Sequence, residues 1–229
     1  MRATVPSALR TDERGVATYT ISDPAKRNAL SLGMLQDLDE SLALLADEPL
    51  VRAIVLTGAE GAFCSGVDLA DLADARAVDR ATVLVSSILT RIDTMPVPVI
   101  GRVNGAAFGA GLALVAAADI TVAVRGARFG FPEVHYGHVA GPAAAAAVAR
   151  IGEAAALDLF LTGRRFDAGE AGRLGLVSAV VDEDGLDGAV GAVVDGLLAG
   201  DPDAVARTKR LVRGLVGPTM AQRLARALG

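Results

Sequence analysis

Twice, about forty residues apart, a short aliphatic run breaks into a glycine-bearing turn. Ala53-Ile54-Val55-Leu56-Thr57 leads to Phe63-Cys64-Ser65-Gly66-Val67-Asp68-Leu69, and Pro98-Val99-Ile100 leads to Asn104-Gly105-Ala106-Ala107-Phe108-Gly109-Ala110-Gly111. Each run reads as a buried strand, so each turn is a strand-exit loop, a usual place for a site. Small residues there let a ligand approach the main chain closely, and each turn can aim one backbone N–H outward. Two N–H groups converging on one point make an oxyanion hole, which stabilises negative charge on a carbonyl-type oxygen. Either turn taken alone reads equally well as a tight turn and nothing more.

The chain around these turns keeps one rhythm. Gly15 to Ser22 alternates around Val16, Thr18, Thr20 and Ile21 as a first strand. Leu35, Leu38, Leu42 and Leu45 fall at helical spacing between Ser31 and Asp47. Ala53 to Thr57 is a strand, Ala77 to Thr94 a helix with Val85, Ile88, Leu89 and Ile92 inward, and Pro98 to Val103 a strand again. A short buried helix over Gly111–Ala118 and a strand over Ile120–Val124 follow. Strands alternating with helices predict an α/β fold. After Phe166 the character turns helical, with Asp167 as N-cap, a helix over Leu186–Ala199 and a second cap at Asp201-Pro202. Residues 1–165 therefore read as the core and 166–229 as a helical C-terminal region.

Composition removes several classes of function. A chain of 229 residues suits one compact domain. With 52% hydrophobic residues, 21% charged and no tryptophan, disorder is excluded and close packing of small side chains is expected. A net charge of −5 and no dense basic cluster exclude a nucleic-acid surface. The single cysteine, Cys64, cannot form an intrachain disulfide. With no apolar signal core and no run near the roughly 20 residues of a membrane helix, the sequence predicts a soluble, cytoplasmic protein that meets no membrane.

One carboxylate stands out. Glu133 follows Pro132 among Phe129, Phe131 and Val134. Burial there would raise its pKa toward the range useful for proton transfer; the plainer alternative is a surface glutamate starting a turn. His135 and His138, the only histidines, lie within five residues of it, with no ligand spacing for zinc. Cys64 reads as a small buried side chain and not a nucleophile. Gly109-Ala110-Gly111-Leu112-Ala113-Leu114 lacks the third small residue of a dinucleotide fingerprint, so no nicotinamide cofactor is expected.

Taken with their flanks, these segments resemble the crotonase family, the enoyl-CoA hydratase/isomerase group. The resemblance lies in Asp23 to Ser31, Ala53 to Gly58, Phe63 to Leu69, Val103 to Gly111, Ala118-Asp119-Ile120, Phe129-Gly130-Phe131-Pro132-Glu133 and Leu161 to Phe166, in the family's order and spacing. It implies a spiral of strand-strand-helix units, a helical C-terminal region serving trimer formation, and an acyl-CoA thioester as substrate. Coenzyme A then enters as part of the substrate, with no separate cofactor or metal, and the assembly is a homotrimer or a dimer of trimers.

By the same matching, the backbone N–H groups of Val67 and Ala110 are the oxyanion donors, Ala110 standing where a glycine is common. Glu133 matches a catalytic glutamate. Lys26 and Arg27 match the loop that meets CoA phosphates and adenine, while Ala29, Ser65, Asp68 and Leu69 match positions around adenine and pantetheine. The acyl pocket falls to the segment Ala70 to Thr90. This chain departs from the family pattern in three places. Ala113 stands where hydratases carry a first glutamate, no aspartate stands near Gly141 where some isomerases carry one, and the last basic and aromatic helical segment is expected to be missing beyond Gly229. One base can shift a double bond, whereas adding water is easiest with two carboxyl groups. Isomerisation is therefore favoured, with variant hydration helped by His138, or His135, as the other enzymatic reading. A non-catalytic acyl-CoA binder is the alternative.

Overall fold

A computed structural model describes residues 8–72, 74–215 and 217–228. The chain opens with β1 (Ala8–Thr11) and β2 (Val16–Ile21), then α1 (Leu32–Asp47). Three strand-strand-helix units follow: β3 (Ala53–Gly58), β4 (Ala62–Cys64) and α2 (Ala75–Thr94); β5 (Val99–Val103), β6 (Ala106–Phe108) and α3 (Ala110–Ala117); β7 (Ile120–Val124), β8 (Arg128–Gly130) and α4 (Gly141–Thr162). The remainder is β9 (Phe166–Asp167), α5 (Ala168–Arg173), β10 (Ala179–Val181), α6 (Leu186–Leu198), α7 (Pro202–Leu215) and α8 (Met220–Leu228).

The first strand of each unit enters a six-stranded sheet of order β1-β2-β3-β5-β7-β10, and the second enters a four-stranded sheet of order β4-β6-β8-β9. All pairings are parallel except β1 with β2 and β8 with β9. This two-sheet spiral of strand-strand-helix units is the arrangement that the resemblance implies. Residues of β3 are buried at every position, as a parallel strand covered on both faces must be. Each second strand ends at a glycine-bearing turn or at the Glu133 segment, so the C-terminal edge of the small sheet gathers Ser65-Gly66, Phe108-Gly109 and Phe131-Pro132-Glu133 side by side.

Helix ends follow local chemistry. Ser31 Oγ accepts from the Met34 N–H at 3.2 Å, Asp74 caps α2 through the Ala77 N–H at 2.9 Å, and Asp167 and Asp201 cap α5 and α7. The α1 stripe of Leu35, Leu38, Leu42 and Leu45 is buried, as is the α2 stripe of Val85, Ile88, Leu89 and Ile92. Each such side chain contributes roughly 1.5–3 kcal/mol at most by leaving water.

The region after residue 165 is mainly helical, and it also supplies strands to both sheets: β9 to the small one and β10 to the large one. These strands are 2 and 3 residues long, too short for a periodic signal. Helix α6 lies over β3, β5 and β7, so the boundary at residue 166 divides sequence character and not two separate bodies. Among the described residues no helix is long and apolar enough to cross a membrane.

Candidate active site

The loop after β2 is built around Asn28, which is fully buried. Its Nδ2 donates to the carbonyls of Ala59 and Ala62 at 2.8 Å each, and its Oδ1 accepts from the Asp23 N–H at 3.0 Å. Arg27 and Asn28 both take positive φ, 54° and 58°, a conformation asparagine tolerates better than most residues. Asn28 stands inside a matching segment of the sequence, which does not reveal that it pins the loop to the connection between β3 and β4. Ser65 is tied to the same loop, its N–H donating to the Arg27 carbonyl at 3.1 Å and its Oγ to the Lys26 carbonyl at 3.0 Å.

The two turns face one another. Leu30 pairs with Val67 through the Gly66 carbonyl, at 2.7 Å, and the Asp68 N–H, at 2.9 Å. In an extended chain neighbouring N–H groups point to opposite sides, so the Val67 N–H is directed away from Leu30. Ala110 is the first residue of α3, where a helix leaves its N–H without an intrahelical acceptor. Close approach and backbone angle both require glycine here. Gly66 has φ of 101°, and a Cβ on it would sit 3.1 Å from the Phe108 carbonyl oxygen and 3.6 Å from the Ala110 nitrogen. Gly109 has φ of 52°, and a Cβ on it would sit 3.1 Å from Glu133 Oε1. The main chain of both turns and the Glu133 carboxyl thus form one contiguous group.

Glu133 lies in the 3₁₀ turn Pro132–Tyr136. Its Oε2 is buried without a hydrogen-bond partner among the described residues. Burial raises its pKa above the ordinary carboxylate value, because the charged form loses solvation. A carboxyl held in that way readily accepts and returns a proton.

These groups line a cavity of about 870 Å³. Val67, Ala110, Glu133 and His138 stand on its wall, and so do Lys26, Arg27, Ala29, Ser65, Asp68 and Leu69. Leu72, Val78, Ala81, Thr82 and Val85 supply an apolar stretch from the segment 70–90. Lys26 donates to Asp68 at 2.5 Å, an ion pair that holds the carboxyl of Asp68 below its usual value. His135 lines the wall too, with Nε2 2.8 Å from the Thr162 carbonyl oxygen, so that nitrogen carries a proton. His138 is exposed, and its backbone N–H donates to the Glu133 carbonyl at 3.0 Å.

Several wall residues escape a reading of the sequence. Tyr136 stands one 3₁₀ turn after Glu133, where side chains three apart eclipse. Arg165 lies over the Phe108 ring at 5.5 Å, and Arg164 is held by Asp158 and Glu170. Arg164 and Arg165 belong to the matching segment Leu161 to Phe166, which assigns their side chains no role, and no motif contains Tyr136. Ala113 is fully buried inside α3 and is absent from the cavity wall, so its methyl group supplies no second carboxyl there. Cys64 is buried, and burial pushes its thiol up to about 12.

Fold and site together define a crotonase-type protein. The sequence matches the enoyl-CoA hydratase/isomerase family over residues 11–227, and the chain belongs to that family. It is 36% identical over 211 residues to a putative enoyl-CoA hydratase of Thermus thermophilus, an alignment covering 90% of this chain and 83% of that one. A probable enoyl-CoA hydratase of Mycobacterium bovis is 36% identical over 176 residues, covering 76% and 68%. Among solved structures, an enoyl-CoA hydratase of Mycobacterium smegmatis is similar at a TM-score of 0.89 and 34% identity, covering 97% of this chain and 88% of that one.

Proposed function

We propose that the protein binds an unsaturated acyl-CoA and stabilises its thioester oxygen as an enolate between the N–H groups of Val67 and Ala110. Glu133 takes a proton from C2 of a 3-enoyl-CoA; the electron pair moves through the thioester, placing negative charge on its oxygen. The same carboxyl returns the proton to C4, and the double bond comes to rest between C2 and C3. Atoms and charge balance without a co-reactant. Lys26 and Arg27 stand where CoA phosphates would arrive, and the stretch from Leu72 to Val85 receives the acyl group.

The observation that carries this reading is the Glu133 carboxyl, its Oε2 buried and unpaired among the described residues, beside the facing turns. Burying a carboxyl in an apolar wall is costly for folding alone. The absence of a carboxyl at Ala113 favours isomerisation over hydration, and it also motivates the reading as an acyl-CoA binder without turnover.

Purified protein is incubated with 2-enoyl-CoA and 3-enoyl-CoA panels and followed by absorbance and mass. Double-bond migration without a mass change is the expected result. Gain of one water shows hydration by Glu133 with a second group such as His138. Neither product, with measurable binding of the esters, establishes the binder.

A further inference from the structure

The helix that starts at Ala110 ends in a cluster of cations. Arg150 of α4 donates from Nε to the Ala116 carbonyl at 2.6 Å and from Nη2 to the Ala118 carbonyl. Arg213 of α7 donates from Nη2 to the Ala117 carbonyl at 2.7 Å and to Asp119 Oδ1 at 2.8 Å, and its Nη1 lies 3.3 Å from Asp93 Oδ1. Lys209, its side chain 7% exposed, sits 2.7 Å from Asp119 Oδ2, which also accepts from the Val99 N–H at 2.8 Å. These three cations face two carboxylates; the carbonyl end of α3, the negative end of a helix, supplies acceptors to both arginines, and Lys209 also donates to the carbonyls of Ile92 at 2.9 Å and Val97 at 3.0 Å.

Buried ion pairs contribute little net stability compared with apolar packing of the same volume. What this cluster does is fix the far end of α3 to two other elements. Helix α4 follows the turn that bears Glu133, and α3 carries the Ala110 donor at its first residue. Arg150 is nine residues beyond Gly141, and α3 is 8 residues long. At about 1.5 Å per residue, the cluster therefore grips both helices roughly 12–14 Å from their cavity ends.

We propose that Arg150 and Arg213 are positioning residues: by clamping the carbonyl end of α3 to α4 and α7, they set where the Ala110 N–H stands relative to Glu133. This rests on the oxyanion reading above. A short helix buried at every residue after its first transmits displacement along its axis, and a misplacement of about 1 Å at reacting groups can cost on the order of a hundredfold in rate.

The test uses the full chain with an arylacryloyl-CoA, whose absorption band moves to the red when its thioester carbonyl is polarised. Arg213→Met, checked for a cooperative melt, is expected to bind a saturated acyl-CoA within about twofold of the parent. It loses most of the band shift and roughly 10- to 100-fold in kcat, because a donor has moved. Arg213→Lys keeps the charge but cannot span Ala117, Asp119 and Asp93 together, so its band shift falls between the two. If Arg213→Met does not fold, Arg213→Lys decides by the same readout. A folded Arg213 variant with the parent's band shift overturns the clamp. Ala110→Pro, which removes the donor N–H at a helix position that accepts proline, separates the two ideas. Loss of the shift there with retention in the Arg213 variants sinks the clamp alone, and retention in Ala110→Pro sinks the oxyanion reading beneath it.

Discussion

Glu133 presses one carboxyl oxygen toward the main chain of Gly109 and leaves the other buried without a partner among the described residues. Replacing it with glutamine keeps the shape and removes the base. Glu133→Gln is expected to lower turnover by roughly 10²–10⁴-fold, the usual worth of a positioned acid–base group, while acyl-CoA affinity stays close to the parent's; titration calorimetry beside a turnover assay checks both. The raised pKa has two further consequences. Activity needs the ionised form, so the acid limb of the kcat/KM profile is expected above about 4.3, the ordinary glutamate value. For stability, a raised native pKa means that the folded state holds the proton more tightly. The favourable contribution is present at acid pH and is lost as pH rises from the ordinary value through the raised one. Glu133→Gln is therefore expected to match the parent's melting temperature in acid and to exceed it near neutrality.

At the scale of elements, what was legible in the sequence divides by periodicity. Helices α1 and α2 declared themselves because their leucines and isoleucines recur at helical spacing. Strand β2 was visible by its alternation, and β3, β5 and β7 as mainly aliphatic runs of 5 or 6 residues. The second strands were harder: β4, β6 and β8 are 3 residues each, and only the resemblance implied a strand at those places. Helix α4, 22 residues long, shows no helical periodicity in the sequence because its alanine-rich start makes every face alike and a kink at Gly152 breaks its phase. The cavity-lining positions were legible through motif matching; Arg164 and Arg165 lay within the matching segment Leu161 to Phe166 but carried no assigned role, and Tyr136 lay outside any motif. Because α2 carries both core packing and the cavity residues Val78 to Val85, it offers an element-level test. Leu89→Ala, at a site with no exposed surface, is expected to cost about 2–5 kcal/mol through lost transfer energy and a residual void, read as a lower urea midpoint at unchanged slope.

For the whole molecule, the cavity is assembled from loops after β2, β4, β6 and β8, together with the start of α2 and the turn before β9. A ligand spanning that wall ties together segments distant in the chain and binds only when all are in place. Saturation with a CoA ester at about 100 times its Kd is expected to add roughly 2.7 kcal/mol to unfolding free energy, seen as a melting temperature that climbs with ligand concentration. Lys26 is paired with Asp68 at this wall, so an arriving phosphate competes with Asp68 for Lys26, whereas no ion pair engages Arg27 among the described residues. Arg27→Ala is expected to weaken CoA-ester binding more than Lys26→Ala, and added salt to narrow that difference.

Cys64 is the chain's only cysteine, fully buried directly before the turn that presents Val67, with a thiol that stays protonated well past neutrality. It is thereby a built-in clock for the opening of that turn. Alkylation by iodoacetamide can proceed only during moments when the turn lifts from the second sheet, and its rate measures how often that happens. A bound CoA ester is expected to slow the clock, and a urea series would show whether the turn opens alone or only when the whole chain comes apart.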